Sequence, residues 1–229
     1  MTYEEIINML RAAADPAFCE GMKRFGIATD RALGVRVPEI RRIAKLAGCD
    51  HTLAIRLFES GIHEAQILAS MVADRRQFRP ADMDAWVADF DSWDVCDQCC
   101  MNLFRHVPYA FGKVREYAAS EREFTRRAGF ALLATLAADS KCAETALFAD
   151  FLPLVEAHSH DLRPSIKKAV NWALRQIGKR NEGLRLAALD AARRIASSPV
   201  AAERWTGKDA VRELTDPKVV ARVQRKDNR

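Results

Sequence analysis

The sequence predicts an all-α protein, an α-solenoid of HEAT-like antiparallel helix pairs with a concave basic groove. Apolar residues recur at steps of three and four along nearly all of the 229 residues, which is the spacing of one helix face. We find no segment with the strict alternation that marks a half-buried strand. Candidate helices of about 10–18 residues follow each other after short connections, as in stacked helical repeats whose curved array has a concave side.

Start signals for the candidate helices are plentiful. Pro38 and Pro80 fit the first turn of a helix, where the missing N–H has no partner to lose. Asp50 and Ser92 fit N-caps, because their side-chain oxygens can accept from the first unpaired backbone N–H groups. The predicted helices span residues 2–14, 16–25, 38–47, 51–60, 62–73, 80–90, 92–105, 109–119, 121–138, 143–158, 162–180, 181–196 and 208–214.

Residues 1–221 are predicted to form one domain, followed by a basic, frayed tail over residues 222–229. The composition, 49% apolar, excludes a disordered chain. No run approaches the roughly 20 apolar residues of a membrane span, and residues 1–5 are acidic and amphipathic, unlike a signal peptide. Six cysteines without framework spacing indicate reduced thiols. We therefore expect a cytoplasmic protein without a membrane partner.

The charge is unevenly distributed along the chain. Residues 163–229 carry 17 Lys and Arg against 7 Asp and Glu, whereas the remainder carries 19 against 24. A basic C-terminal third is typical of a protein that binds a polyanion, and nucleic acid is the commonest one. A solvated basic surface without a partner would have the same composition, so the charge alone leaves both interpretations open.

The predicted helix over residues 162–180 has two contrasting faces. One face is apolar and supplies a core. Lys168, Trp172, Arg175 and Lys179 recur on the opposite side at steps of four, three and four. Arg and Lys can neutralise phosphates, and an indole can stack against nucleic acid. This face is therefore predicted to bind DNA.

A second candidate segment is the start of the helix predicted from residue 92. Trp93 and Asp97 are one turn apart and share a face at the edge of the core side, from which they can reach a groove. Asp94 and Asp97 are also ordinary first-turn acids that the helix dipole favours. The segment by itself does not decide between these interpretations.

A third segment begins the predicted helix over residues 121–138, where Ser120 and Glu123 have the spacing of a capping box. Residues 124–137 are apolar almost all round, which places this helix deep in the assembly. Arg126 and Arg127 enter it and need a partner carboxylate or phosphate, since a bare buried charge is costly. Arg126 is predicted to contact DNA. For Arg127, a phosphate contact and a structural pair with Glu123 both stay open.

A metal site is not predicted. Residues 96–100 contain three cysteines, but zinc usually takes four ligands from two spaced pairs, and neither a second pair nor suitably spaced histidines exist. These cysteines lie on the predicted core side as small apolar residues. No phosphate-binding loop, dinucleotide fingerprint or nucleophile elbow occurs. We therefore expect neither a metal nor a cofactor.

Four segments in this order resemble the AlkD-like family of DNA alkylation repair glycosylases, which are built from HEAT-like repeats. They are LGVRVPEIRRIAK at residues 33–45, WDVCD at 93–97, RRAGFALL at 126–133 and IKKAVNWALRQIGKR at 166–180. The similarity spans roughly residues 15–215. It implies a concave basic groove for duplex DNA containing alkylated bases, and excision of cationic N3- or N7-alkylated purines. We expect a monomer, because a binding groove on a capped solenoid needs no partner, and association with the nucleoid when the protein is on DNA.

The resemblance also implies roles for single residues. Asp97 matches the catalytic carboxylate, Trp93 and Trp172 match groove tryptophans, and Arg127 matches a groove arginine. Asp94 matches an acid of the motif and is predicted to be part of the DNA-binding surface. A cationic alkylpurine leaves without protonation, so the site has to stabilise the positive charge that grows on the sugar, and a fixed carboxylate does this and positions water. The resemblance implies that the base need not be flipped out of the duplex.

One feature departs from the family pattern. An N-terminal tyrosine that lines the groove in family members would fall near residues 21–23, where this chain has none. Phe18, Phe25 and Tyr3 are the candidates to replace it. The segment between Phe25 and Gly34 is also longer than the family pattern predicts.

Two classes of function compete on this sequence. One is the glycosylase. The other is a non-catalytic HEAT-like module that binds DNA or a protein, since helical arrays often serve as scaffolds. A structure-specific binder of branched or damaged DNA is a third possibility. The carboxylate of Asp97 favours the glycosylase, because a pure binder of polyanions gains nothing from an acid that faces phosphates.

Overall fold

The computed structural model describes residues 1–142 and 145–227, and within them it has fourteen α-helices and no strand. This result confirms the all-α prediction. The chain divides into two compact units, Met1–Ala110 and Phe111–Arg229. The prediction of one domain over residues 1–221 stays a prediction.

The helices of the first unit are short and closely spaced. They are α1 (Tyr3–Ala12), α2 (Pro16–Met22), α3 (Val37–Ala47), α4 (His51–Glu59), α5 (His63–Val72), α6 (Pro80–Asp89) and α7 (Trp93–Asn102). Nine of the ten residues of α5 are buried, so α5 is the central helix of this unit. It packs against α3, α4 and α7. These contacts explain why α5 is buried on all sides and lacks the single apolar stripe of a surface helix.

The second unit is built around two long helices. Its helices are α8 (Ala110–Ala118), α9 (Glu123–Ala138), α10 (Leu152–Ala157), α11 (Pro164–Gly178), α12 (Glu182–Ala196), α13 (Ala201–Leu214) and α14 (Pro217–Asp227). Every residue of α9 from Arg126 to Ala137 is buried, which confirms that this helix lies deep in its unit. The apolar face of α11 packs against α9, and α12 and α13 pack against α11 and against each other.

The predicted helix starts are confirmed at four of five positions. Asp50 accepts from the Leu53 backbone N–H at 2.9 Å, and the prolines at 38 and 80 lie in first turns. Ser92 occupies the N-cap position of α7, but its hydroxyl donates to Asp94 and does not accept from the helix backbone. The predicted capping box of Ser120 and Glu123 is wrong. The helix begins at Glu123, two residues later than predicted, and the Ser120 hydroxyl accepts from the Arg122 backbone N–H instead.

The C-terminal end is more helical than predicted. The helix predicted over residues 208–214 is α13, which begins at Ala201. Residues 222–227, predicted as a frayed tail, belong to α14, and residues 228–229 lie outside the described part. The tail is held because Val223 is fully buried, while Lys226 donates to the carbonyl of Lys179 at 2.8 Å and Asp227 accepts from the Glu182 N–H at 2.7 Å.

The helix predicted over residues 143–158 is broken. Residues 143 and 144 lie outside the described part. Residues Thr145–Phe151 form a 3₁₀ turn, and α10 follows it with Pro153 in its first turn. A proline tolerated at a helix start explains why the regular helix begins only there.

Close packing of α12 against α13 depends on Gly207. A Cβ atom at this position would lie 2.2 Å from the Ala196 backbone nitrogen and 2.6 Å from the Ala192 carbonyl oxygen. We expect Gly207→Ala to lower the free energy of unfolding by about 1–3 kcal/mol, because backbone atoms cannot move aside as a flexible side chain can. Urea unfolding measures this change. The control is Gly183→Ala in α12, whose Cβ meets only an Asn181 side-chain oxygen at 3.7 Å and which should stabilise slightly. Equal effects of the two substitutions would contradict this account.

Candidate functional site

The first unit contains a cleft of about 270 Å³. Residues from α2, α3, α5 and α7 and from the connection between α2 and α3 surround it. Its walls are mostly apolar, with four polar side chains. The lining residues are Phe18, Met22, Ile27, Val35, Val37, His63, Ile67, Trp93, Asp94, Asp97, Gln98 and Met101.

Trp93 and Asp97 both line this cleft, as their spacing on one helix face predicts. The Trp93 indole N–H donates to the backbone carbonyl of Phe25 at 3.0 Å, which fixes the orientation of the ring. Asp97 is 9% exposed. The cleft thus combines a nearly buried carboxylate and an oriented indole within apolar walls, where a charge interaction is stronger than in water.

The three candidates to replace the missing N-terminal tyrosine, Phe18, Phe25 and Tyr3, lie in different environments. Phe18 lines the cleft, and the guanidinium of Arg36 lies 4.1 Å from its ring centre. Phe25 is 69% exposed on the 3₁₀ turn Lys23–Phe25. Tyr3 lies on α1 under the guanidinium of Arg56. Of the three, Phe18 has its side chain in the cleft wall, while Phe25 contributes its backbone carbonyl to Trp93.

Asp94 is engaged by two side chains. Its carboxylate accepts from Ser92 Oγ at 2.7 Å and lies 2.8 Å from Nε2 of the buried His63. Burial opposes ionisation, but the hydrogen bond and charge of His63 outweigh it and lower the pKa of Asp94. Burial likewise opposes the imidazolium, yet Asp94 raises the pKa of His63 above its ordinary value. Asp94 therefore lines the cleft as one partner of an ion pair with His63.

The His63–Asp94 pair should make stability depend on pH. The raised pKa of His63 means that its contribution is complete below about 6.5 and is lost as pH rises through the folded-state value. The lowered pKa of Asp94 means that its contribution is present above about 3.8 and is lost at lower pH. We expect Asp94→Asn to cost about 1–3 kcal/mol of unfolding free energy near pH 5.5 and clearly less near pH 8.5. Urea unfolding at both pH values checks this, and an equal cost at both would refute it.

Glu64 holds the segment that forms one wall of the cleft. It is 1% exposed, and its Oε1 accepts from the backbone N–H groups of Gly34 at 2.7 Å and Val35 at 3.1 Å. Its Oε2 accepts from the N–H of Leu33 at 2.8 Å. Gly34 has φ +81°, and a Cβ there would lie 2.2 Å from the Asp15 carbonyl, so only glycine fits this turn. The sequence reasoning missed Glu64. Glu64 is an acid in the first turn of α5, where the helix dipole alone would account for it.

The two arginines of α9 are both buried in the second unit. Arg126, predicted to contact DNA, pairs with Asp161 at 2.9 Å and Glu121 at 2.8 Å. Burial opposes ionisation of Asp161, but hydrogen bonds from Arg163 and Arg126 lower its pKa to about 2. Arg126 is therefore held in an internal ion-pair network. Arg127 is also buried and donates to the backbone carbonyl of Ser165 at the start of α11.

The predicted DNA-binding face of α11 is only partly open. Lys168 is exposed and Trp172 is half-buried. Arg175 pairs with Glu213, and Lys179 pairs with the same carboxylate at 2.6 Å. Arg175 and Lys179 are only partly exposed, because α13 packs against α11 and its Glu213 pairs with both side chains. Their predicted contact with DNA stays a prediction.

The longer α13 also carries an aromatic surface residue that the sequence analysis missed. Trp205 is 44% exposed, with the ammonium of Lys167 at 4.9 Å from its ring centre. The sequence pattern gave no helix over residues 201–207, so this contact could not be expected.

The cysteines of α7 are free thiols. Cys96, Cys99 and Cys100 are buried, and burial raises the pKa of Cys99 and Cys100 well above the ordinary value. A thiol held neutral is a poor nucleophile and a poor metal ligand. In the described part of the chain, no group of three or more His, Cys, Asp or Glu side chains is placed to hold a metal ion. None of the helices within residues 1–142 and 145–227 has the length and apolarity needed to cross a membrane.

Comparison with known proteins identifies the family. A solved structure matches with a TM-score of 0.78 and 20% sequence identity, over 93% of this chain and 95% of the other. It is described as a member of a new family of proteins related to the HEAT-like repeat DNA glycosylases, with affinity for branched DNA structures. This match confirms the HEAT-like repeat fold. No curated protein matches the chain. The family model for DNA alkylation repair enzymes matches residues 6–214, and the chain therefore belongs to the DNA alkylation repair enzyme family.

Proposed function

We propose that this protein is a DNA glycosylase that excises cationic N3- or N7-alkylated purines from duplex DNA. The observation that carries the proposal is the carboxylate of Asp97 beside the indole of Trp93 in an apolar cleft. Membership of the DNA alkylation repair family supports it. No cofactor is part of the proposal, because the leaving base already carries the positive charge that makes it leave.

The residues of the cleft suit this reaction. As the glycosidic bond breaks, positive charge grows on the sugar, and a fixed carboxylate in apolar surroundings stabilises it. The same carboxylate can orient a water molecule for attack on the sugar, as in glycoside hydrolysis. The electron-rich face of Trp93 favours a cationic base or sugar. Asp97 would therefore stabilise the transition state, and Trp93 would position the reacting nucleotide.

In this proposal the second unit binds the DNA phosphates, because it contains the basic C-terminal third of the chain. Lys168 is exposed and Trp172 is half-buried on α11, so these two are the proposed DNA contacts of this helix. Arg175 and Lys179 contribute less than the sequence predicted, since Glu213 already neutralises part of their charge. Arg127 would contribute by holding the start of α11, through its bond to Ser165.

Release of free bases tests the proposal. The protein is incubated with methylated duplex DNA, and free 7-methylguanine and 3-methyladenine are separated by chromatography. Release of either base above the spontaneous rate supports the proposal. Binding of the same DNA without any release would reject it.

A second candidate function is recognition of branched DNA without chemistry. The observation that favours it is the affinity of the structural relative for branched DNA structures. Arg126, Arg175 and Lys179 are each paired with a carboxylate. These pairs reduce the positive charge available to the phosphates, which agrees with a low affinity for linear duplex DNA. This function predicts tighter binding to a four-way junction than to a linear duplex of the same length, together with no base release. Equal affinity for the two DNAs would exclude it.

A further inference from the structure

The most exposed tryptophan of the chain lies on α13, in the second unit. Trp205 is 44% exposed, whereas Trp86 is buried and Trp93 and Trp172 are half-buried. Trp205 takes no part in the cleft of the first unit. A single exposed aromatic side chain needs no partner by itself, so the side chains around Trp205 decide what it can bind.

Two lysines border the Trp205 indole. The ammonium of Lys167 on α11 lies over the ring, 4.9 Å from its centre. Lys208 is exposed one turn after Trp205, on the same face of α13. Neither lysine belongs to an ion pair with a carboxylate among the residues that the structure describes. Both therefore keep their charge for a partner.

An indole between two such lysines fits a nucleic acid strand better than a protein surface. The centres of protein–protein interfaces are enriched in tryptophan but depleted in lysine. A nucleic acid strand offers flat bases that stack on aromatic rings, and beside each base a phosphate that binds lysine. The combination at Trp205 has both of these elements.

The exposed ring also limits which bases it can reach. Inside a duplex, neighbouring bases cover both faces of each base, so an aromatic side chain at the protein surface has no free base face to stack on. A base in a single-stranded overhang or gap has a free face, and unstacked bases of this kind pair readily with aromatic side chains. The ligand that suits Trp205 is therefore an unpaired base.

We propose that Trp205, Lys167 and Lys208 form a second DNA site, in which an unpaired base stacks on the indole and the two lysines bind the adjacent phosphates. This inference rests on the proposed function only in taking DNA as the partner, because the site needs neither Asp97 nor the cleft. With this site the protein binds a duplex that continues into a single strand more tightly than a blunt duplex.

The test compares two undamaged DNAs, so that it does not depend on excision. Fluorescence anisotropy of the whole protein measures binding of a blunt duplex and of the same duplex with a single-stranded overhang. We expect the overhang to increase the affinity about tenfold, the scale of one stack between a base and an aromatic ring. Equal affinity for the two DNAs would overturn the inference.

Trp205→Leu locates the preference, because it removes the aromatic ring and keeps an apolar side chain. We expect it to abolish the preference for the overhang and to leave the affinity for the blunt duplex within about twofold. Leu186→Ala is the control, since it shortens an apolar side chain that is 50% exposed on α12. It should retain the preference. A preference that survives Trp205→Leu would reject the site.

A fluorescent base in the overhang reports stacking directly. The emission of 2-aminopurine falls when the base stacks on another ring, so the native protein should quench it and Trp205→Leu should not. If Trp205→Leu fails to fold, Ala201→Glu places a carboxylate one turn earlier on the same face, where an acid suits the first turn of α13. It should repel the strand and abolish quenching. Native quenching in a folded variant would contradict the inference.

Salt dependence distinguishes the lysines from the indole. Lys167→Gln and Lys208→Gln should each reduce the dependence of log affinity on log salt by about 0.7 for the overhang DNA, the value for one phosphate of a single strand. Trp205→Leu should leave this slope unchanged, because stacking releases no counterions. An unchanged slope in both lysine variants would refute the phosphate contacts.

The outcomes separate this inference from the proposed function. Base release from methylated DNA without a preference for the overhang would support the glycosylase and reject the second site. A preference for the overhang that depends on Trp205, without base release, would support the second site and reject the glycosylase.

Discussion

Asp97→Asn is expected to lower the rate of alkylpurine release by about 100-fold or more, the scale on which one preorganised electrostatic group contributes to a transition state. The amide has nearly the same shape as the carboxylate but carries no charge to stabilise the cationic sugar. DNA affinity should stay the same or rise, because removal of a negative charge reduces repulsion of the phosphates. Single-turnover rates of base release and fluorescence anisotropy with labelled duplex measure the two quantities separately.

Asp190→Asn is the matched control for this substitution. It removes the same charge from an exposed side chain on α12 of the second unit, whose partner is Arg193. We expect its rate of base release to lie within about twofold of the native protein, since surface substitutions away from the site have small effects. If both variants lost activity equally, net charge would explain the result. If Asp97→Asn released bases at the native rate, the catalytic assignment would be wrong.

The sequence was most informative where function and fold depend on local spacing. Trp93 and Asp97 are four residues apart on one helix, so helical periodicity alone predicts that they share a face, and the structure places both in one cleft. Asp50 and Ser92 are also local signals, and both occupy N-caps. Such features need no knowledge of distant residues.

The sequence was least informative where a charged residue has a partner far along the chain. Arg175 and Lys179 look like solvent-facing cations on α11, but their carboxylate partner Glu213 lies near the end of α13, 38 and 34 positions away. Arg126 similarly pairs with Asp161, 35 positions away. Helical periodicity gives the direction of a side chain. It does not show which helix covers it.

Glu64 is the clearest example of a site residue that no local pattern shows. Its three backbone donors are about 30 residues earlier in the chain, in a segment without regular structure. They nevertheless explain part of the N-terminal family signature. Gly34 is needed for the backbone to turn around the carboxylate, and the residue after it, Val35, lines the cleft.

Glu64→Gln is expected to lower the free energy of unfolding by about 2–3 kcal/mol, because hydrogen bonds to a buried charged acceptor are worth more than neutral ones. The new amide group would point an N–H at a backbone N–H, so at least one of the donors on residues 33–35 would lose its partner. Urea unfolding gives the free energy, and hydrogen exchange of these three amides reports the local change.

The exchange measurement separates a local role of Glu64 from a general one. Glu59→Gln is the control, an exposed carboxylate at the end of α4 whose loss should change stability by less than about 0.5 kcal/mol. If Glu64 fixes the cleft wall, exchange at residues 33–35 should accelerate more than exchange in α1. A uniform acceleration of amide exchange in the whole first unit would mean that Glu64 stabilises the fold in general and does not specifically fix the cleft wall.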